Sequence, residues 1–248
     1  MSKTPVRVLF AGNGPEVVGL CRKHGCGIEL GVEDSLAPDQ FGPQHAILGD
    51  LSPRALHGPF GDLCAGSYDP KIREVTRDRF ELACQFGREV GSPDIILHHG
   101  YVPGTTPPTS WVNRCTEFWN DFLIDKDSFR FHVENMLEWD GGLLSDVIDS
   151  IGDQRVDACL DIGHAHCNSR GTPIQWIERL RGRIGWVHLH GNHGEWDEHL
   201  ALGTGTIPTQ EVCLALLEHA PLAVWSLESR DEDLAASMEW LIRNGFFG

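Results

Sequence analysis

Short apolar runs alternate along this chain with longer stretches in which apolar residues recur every three or four positions. Residues 7–12 (RVLFAG) and 27–32 (GIELGV) read as buried strands on either side of residues 15–24 (PEVVGLCRKH), which have helical spacing and a proline at the start. A connection containing Pro and Gly runs through Pro43, and residues 55–60 (ALHGPF) carry the next strand end. Residues 69–90 form a long amphipathic helix, opened by Asp-Pro and stopped by Gly91. Beyond it, strands are predicted at 94–98 (DIILH), 129–137 (FRFHVENML), 156–161 (VDACLD), 184–190 and 222–228 (LAVWSLE). Helices are predicted at 111–124, 142–151, 173–180, 209–219 and 232–244. The alternation runs in units of roughly thirty residues, the length of a strand with its crossover helix. About eight such units imply an all-parallel sheet of TIM-barrel size. No linker, low-complexity segment or heptad run interrupts them. The expected fold is therefore α/β, a single-domain TIM (β/α)8 barrel over residues 1–248.

Composition narrows the class. With 41% hydrophobic and 23% charged residues the chain reads as soluble and globular. It has no apolar run near the ~20 residues that span a bilayer. The amino terminus lacks a secretory h-region, so the expected location is the cytoplasm, with no membrane partner. The formal net charge of −16 argues against a long nucleic acid as partner, because phosphate contacts need a cationic face. A small phosphorylated molecule is compatible with it. The eight cysteines are scattered, several inside apolar runs and none in a C-x-x-C pair, which reads as reduced buried thiols.

Chemistry concentrates at the strand ends. Residues 186–200 (WVHLHGNHGEWDEHL) hold His188, His190, His193, Asp197 and His199. In a strand of period two, His188 and His190 share one face and Val187 and Leu189 the other, and a buried imidazole must be hydrogen-bonded or ligated. His57, His98 or His99, Glu134, Asp161 with His164 and His166, and Glu228 stand at the ends of the other predicted strands. A lone His57 or His98 would ordinarily be a core-edge histidine, whereas buried Glu134 and Glu228 closing apolar strands are unusual unless paired. His132 shares the parity of Glu134 one layer deeper and is expected to support ligands rather than to ligate. His24, His45 and His219, in helix or loop contexts, are expected to be solvated. Carboxylates converging on one cup must be protonated or held by cations, and oxygen with imidazole nitrogen suits Zn²⁺, Mn²⁺, Fe²⁺ or Co²⁺. No strand end offers a lysine for Schiff-base chemistry, and Gly12-Asn13-Gly14 falls short of a dinucleotide fingerprint.

From His57 to Glu228 the run of motifs HGPF, LHHG, VEN, CLDIGHA, VHLHG, WDEHLALGTG and SLES resembles the xylose isomerase-like TIM-barrel superfamily. That superfamily, also called apurinic/apyrimidinic endonuclease family 2, includes endonuclease IV and many sugar isomerases and epimerases. The resemblance implies a first metal on His57, His98 and Glu134 and a second on Glu134, Asp161, His188 and Glu228. It implies a third on His164, Asp197 and His199, with Zn²⁺ as the first expectation and one to three ions per chain. Two activities follow from it. One is hydrolysis of a phosphoester or phosphodiester in a small molecule, with Glu134 bridging two ions and Asp161, His188 and Glu228 setting the electrophilicity of one. The alternative is a single-metal sugar or sugar-phosphate isomerase or epimerase, with Glu134 and Glu228 exchanging a proton through an enediolate. The acidic charge and short loops set this chain apart from a DNA-gripping apurinic endonuclease.

Overall fold

A computed structural model describes residues 6–32, 42, 46 and 48–248. Its strands are β1 (Val8–Ala11), β2 (Gly27–Gly31), β3 (Arg54–His57), β4 (Asp94–His98), β5 (Arg130–Glu134), β6 (Val156–Asp161), β7 (Ile184–Leu189) and β8 (Val224–Leu227). Each pairs in parallel with the next, and β8 returns to β1, closing a barrel in sequence order. The helices are α1 (Pro15–His24), α2 (Pro70–Val90), α3 (Pro108–Phe122), α4 (Gly141–Ile151), α5 (Ile162–Cys167), α6 (Pro173–Leu180), α7 (Thr209–His219) and α8 (Leu234–Arg243). The predicted (β/α)8 barrel is thus the observed one. The connection through Pro43, and His45 within it, lie outside the described residues.

Local chemistry sets the helix ends. Asp69 caps α2 by accepting from the Lys71 N–H at 2.8 Å, and Gly91 ends it in the left-handed region at φ 69°. Thr172 and Gln175 form a capping box on α6. Two differences from the pattern shape the site. The strand expected over 129–137 stops at Glu134, because the Asn135 side chain turns to clasp the end of β6 instead: it donates to Asp161 O at 3.0 Å and accepts from the Asp161 N–H at 2.8 Å. Residues 162–167 (IGHAHC), where the pattern predicts no helix, form α5, capped by the Asp161 carboxylate on the His164 N–H at 2.6 Å.

The two-residue period of the strands sorts the interior. On β5, Phe131 and Val133 face the helices, where Phe131 packs on Trp119 and Phe122. His132 and Glu134 face the barrel axis, like the residues of the same parity on other strands. Inside the barrel, Leu9, Ala55, Ile96, Cys159, Trp186 and Val224 form a separate apolar layer. That layer parts two polar ends, and the carboxyl end opens as a cup.

Candidate metal centre

All nine residues picked as metal ligands meet at this carboxyl end. Parallel register places His98 beside Glu134 and Asp161 beside His188. Glu134, 2% exposed, is the hub. Its Oε2 lies 3.2 Å from His57 Nε2 and 3.1 Å from His98 Nε2, and its Oε1 lies 3.3 Å from both His164 Nδ1 and His188 Nδ1. His188 Nδ1 also faces Glu228 Oε2 at 3.0 Å and Asp161 Oδ2 at 3.9 Å. Glu134, Asp161, His188 and Glu228 each offer one donor atom, all within 4.8 Å of one another, and so do His57, His98 and Glu134. At the rim the triad meeting this condition is His190, His199 and Glu228. Asp197 joins there, 2.8 Å from His199 Nε2 and 3.2 Å from His164 Nε2.

The hydrogen bonds around the cup aim these nitrogens. His57 Nδ1–H donates to Gly58 O at 3.1 Å, His164 Nδ1–H to Asn135 O at 2.9 Å and His199 Nδ1–H to Glu228 O at 2.7 Å. A carbonyl oxygen only accepts, so each of these rings carries hydrogen on Nδ1 and turns Nε2 toward a carboxylate. His199 is held for this purpose in the left-handed region, at φ 50°, which is uncommon for a residue with a side chain. The donor set tests well against a divalent cation. His188 Nδ1 and Glu228 Oε2 are buried and 3.0 Å apart, yet neither makes a hydrogen bond. They converge on a common point rather than on each other, the geometry a cation resolves.

Charge deepens the same pattern. Burial pushes the Glu134 carboxyl up, and the imidazoles of His98, His188 and His164 more than reverse it, leaving the group well below the usual carboxylate range. Burial opposes the charged form of His199, but Asp197 and Glu228 raise it to about 9. Protons and cations therefore compete for the same nitrogens. Beneath the cup, burial pushes the Cys159 thiol well above its ordinary value, and its Sγ forms a further group of close donor atoms with Glu134 and His188. All eight cysteines are free, six of them buried.

Several residues fall elsewhere than expected. His132 does not support the ligands. It lies at the opposite end of the barrel, with Nδ1 2.5 Å from Asp157 Oδ1 and Nε2 3.3 Å from Asp94 Oδ1, because each step of two along a strand moves a whole layer away from the cup. Of the pair at the end of β4, His98 faces inward. His99 faces the helices, accepts from the Trp119 indole N–H at 2.6 Å and is pushed by burial down to about 3. His193 pairs with Glu198 at the surface, and His166 contacts Thr206. His24 and His219 are half-buried at the ends of α1 and α7 rather than solvated. Two residues of the site stand outside the nine: His190, which the pattern placed on the His188 face without a ligand role, and Glu29, which it did not single out. His190 sits against both Asp161 oxygens at 3.2 Å and stacks on His199. Glu29, in the middle of β2, accepts from His188 and Trp186; its only signal was an acid between Ile28 and Leu30 in an otherwise buried strand.

A closed (β/α)8 barrel with a carboxylate and imidazole cup at its carboxyl end places the chain in the class of TIM barrels, whose enzymes carry their active sites at that end. Residues 40–244 match the xylose isomerase-like TIM barrel family, and the chain belongs to it. It is 30% identical over 205 residues to the uncharacterized protein MJ1311 of Methanocaldococcus jannaschii, a match covering 75% of this chain and 68% of the relative. It is 23% identical over 197 residues to a probable endonuclease 4 of Mycobacterium leprae, covering 74% of this chain and 77% of that one. Among solved structures, a D-tagatose 3-epimerase-like protein superposes with a TM-score of 0.79 at 21% identity, over 96% of each chain. The members named for an activity in these comparisons are mostly sugar epimerases, with endonucleases among the sequence relatives.

Proposed function

We propose that this chain is a divalent-metal-dependent isomerase or epimerase of a sugar or sugar phosphate, working as one domain in the cytoplasm. No described helix is long and apolar enough to cross a membrane. The observation that carries the reading is the four-donor group of Glu134, Asp161, His188 and Glu228, of which Glu134 and Glu228 line an open cavity of about 790 Å³ and Asp161 and His188 lie buried behind them. Around it stand Asn13, His57, His98, His164, Asp197 and His199, hydrogen-bonding groups that suit a polyhydroxylated ligand. Arg230 is the only lysine or arginine among the described lining residues, so a neutral sugar meets less repulsion from the cup's carboxylates than a phosphorylated ligand does, whether ester or diester. The sugar-epimerase names among the structural neighbours lean the same way. This is the second of the two activities implied by the sequence, and the comparisons favour it over hydrolysis.

Zn²⁺, Mn²⁺, Fe²⁺ or Co²⁺ suits these donors, and a bound cation polarises a substrate carbonyl and the adjacent hydroxyl, acidifying the carbon between them. The chain supplies the rest. Glu228, with one oxygen free of hydrogen bonds and a side chain 23% exposed to the cavity, takes the proton from that carbon. Glu134, ionised at rest, would return a proton from the other side once it has taken one from the His57 imidazole, whose Nε2 lies 3.2 Å from its Oε2, while Asp161 and His188 would help to hold the cation.

Hydrolysis of a small phosphoester on up to three ions is the second reading, and it has an observation of its own. The Nε2 atoms of His57, His164 and His199 are all pre-aimed at carboxylates by main-chain acceptors. Five carboxylates in the cup, Glu29, Glu134, Asp161, Asp197 and Glu228, also carry more charge than one divalent ion offsets. A single preparation separates the readings. The protein, incubated in D2O with a panel of ketoses and their phosphates, is expected to place deuterium beside a carbonyl, and an Asp197→Ala/His199→Ala variant to keep that exchange. Failure of exchange with every sugar, together with cleavage of bis(p-nitrophenyl) phosphate that the double variant loses, sinks the isomerase reading.

A further inference from the structure

We infer that Glu29 is the positioning residue of the site: with Trp186 it fixes which nitrogen of His188 faces the cation. The inference rests on the central cation proposed above and concerns a residue outside its donor set. Glu29 is 1% exposed, on the strand facing β7 across the barrel lumen. A carboxylate there costs several kcal/mol unless donors satisfy it. Both donors come from β7, two residues apart and so on one inward face: His188 Nε2 lies 2.9 Å from Oε1, and Trp186 Nε1 lies 2.9 Å from Oε2.

The indole N–H can only donate, and an ionised carboxylate only accepts. Oε2 is therefore committed to Trp186, and Oε1 compels His188 to carry a hydrogen on Nε2. The remaining nitrogen, Nδ1, is left to point at Glu134, Asp161 and Glu228. The hydrogen bond also sets the plane of the ring, which is wholly buried and stacks on His57 at 5.8 Å. A carboxylate behind a ligating imidazole raises its basicity as well as its order.

Glutamine in place of Glu29 keeps the shape and breaks this logic. Its amide nitrogen must face either the Trp186 N–H, donor against donor, or His188 Nε2. In the second case the imidazole gives up its Nε2 hydrogen and turns an Nδ1–H into the donor group. Phenylalanine at Trp186 removes the competing indole donor, so the amide can then present its oxygen to His188.

The test is Co²⁺ binding to chelator-stripped protein, followed by visible absorption and by competition with a chelator of known affinity. Glu29→Gln is expected to weaken Co²⁺ binding by about 10- to 100-fold and to change the absorption band, while the metal-free melting temperature stays within a few degrees of the parent. Adding Trp186→Phe is expected to restore most of the affinity and the band. Parental affinity and spectrum in Glu29→Gln, no recovery in the double variant, or collapse of the metal-free fold in Glu29→Gln would each overturn the inference and leave the metal reading standing. A parent chain that takes up no Co²⁺ overturns both.

Discussion

His132 shows how position along a strand decides what a histidine does. It has the inward parity of Glu134 and, one layer down, meets Asp94 and Asp157 instead of the cup. Burial disfavours its charged form, but these two carboxylates overcome that and raise it from 6.5 to about 9. A folded-state value above the unfolded one means that the contribution to stability is complete below pH 6.5 and fades as pH rises through about 9. His132→Gln should therefore lower the urea midpoint most at pH 6, and the deficit should shrink by pH 9.5; a deficit independent of pH would refute this. Most of the nine candidate ligands were legible as acids and imidazoles at apolar strand ends, and the resemblance selected the set, including Asp197 and His199 from the connection after β7. The role of His132 was not, because parity tells the face and not the depth, and Glu29 was not, because its partners lie on β7, far away in sequence.

At the level of elements, the turn from β6 into α5 carries the tightest fit. Asp161 ends the strand, faces His188, caps α5 and is clasped by Asn135, so one residue joins the sheet to both the cup and the helix. Next to it, a Cβ on Gly163 would lie 2.0 Å from His190 Cε1 and 2.4 Å from its Nε2. The ring cannot step aside freely: it is fully buried, held on Asp161 and stacked on His199 at 4.2 Å. Gly163→Ala should cost about 1–3 kcal/mol by overpacking and reduce divalent-metal uptake, read by thermal unfolding and elemental analysis. Unchanged melting and metal content would show that the His190 stack is dispensable. The strands and long helices were plain from period and caps, but α5 was hidden because its capping acid reads equally well as a ligand.

For the whole molecule, the barrel gathers carboxylates from β2, β5 and β6, from the residue after β8 and from the β7–α7 connection into one end, where they repel until neutralised. Anything that binds the folded state alone stabilises it, by about 2.7 kcal/mol at a hundredfold excess over the dissociation constant. Saturation with Zn²⁺, Mn²⁺ or Co²⁺ should thus raise the melting temperature by about 5–10 °C for a chain of this size, and a chelator should reverse the rise. The gain should be smaller at pH 6 than at pH 8, since protons hold the same imidazoles. A melting temperature indifferent to both metal and chelator would remove the cations from the account.

By itself the sequence determined the alternation of strands and helices, and with it the barrel, because period and caps are local properties of the chain. It also determined which side chains stand at the strand ends. Only the tertiary structure decided which of them meet: that Glu134 lies among four imidazoles, that His98 and not His99 faces the axis, and that Glu29 reaches across to His188. Those contacts depend on register and closure around the whole barrel, and no stretch of the chain contains them alone.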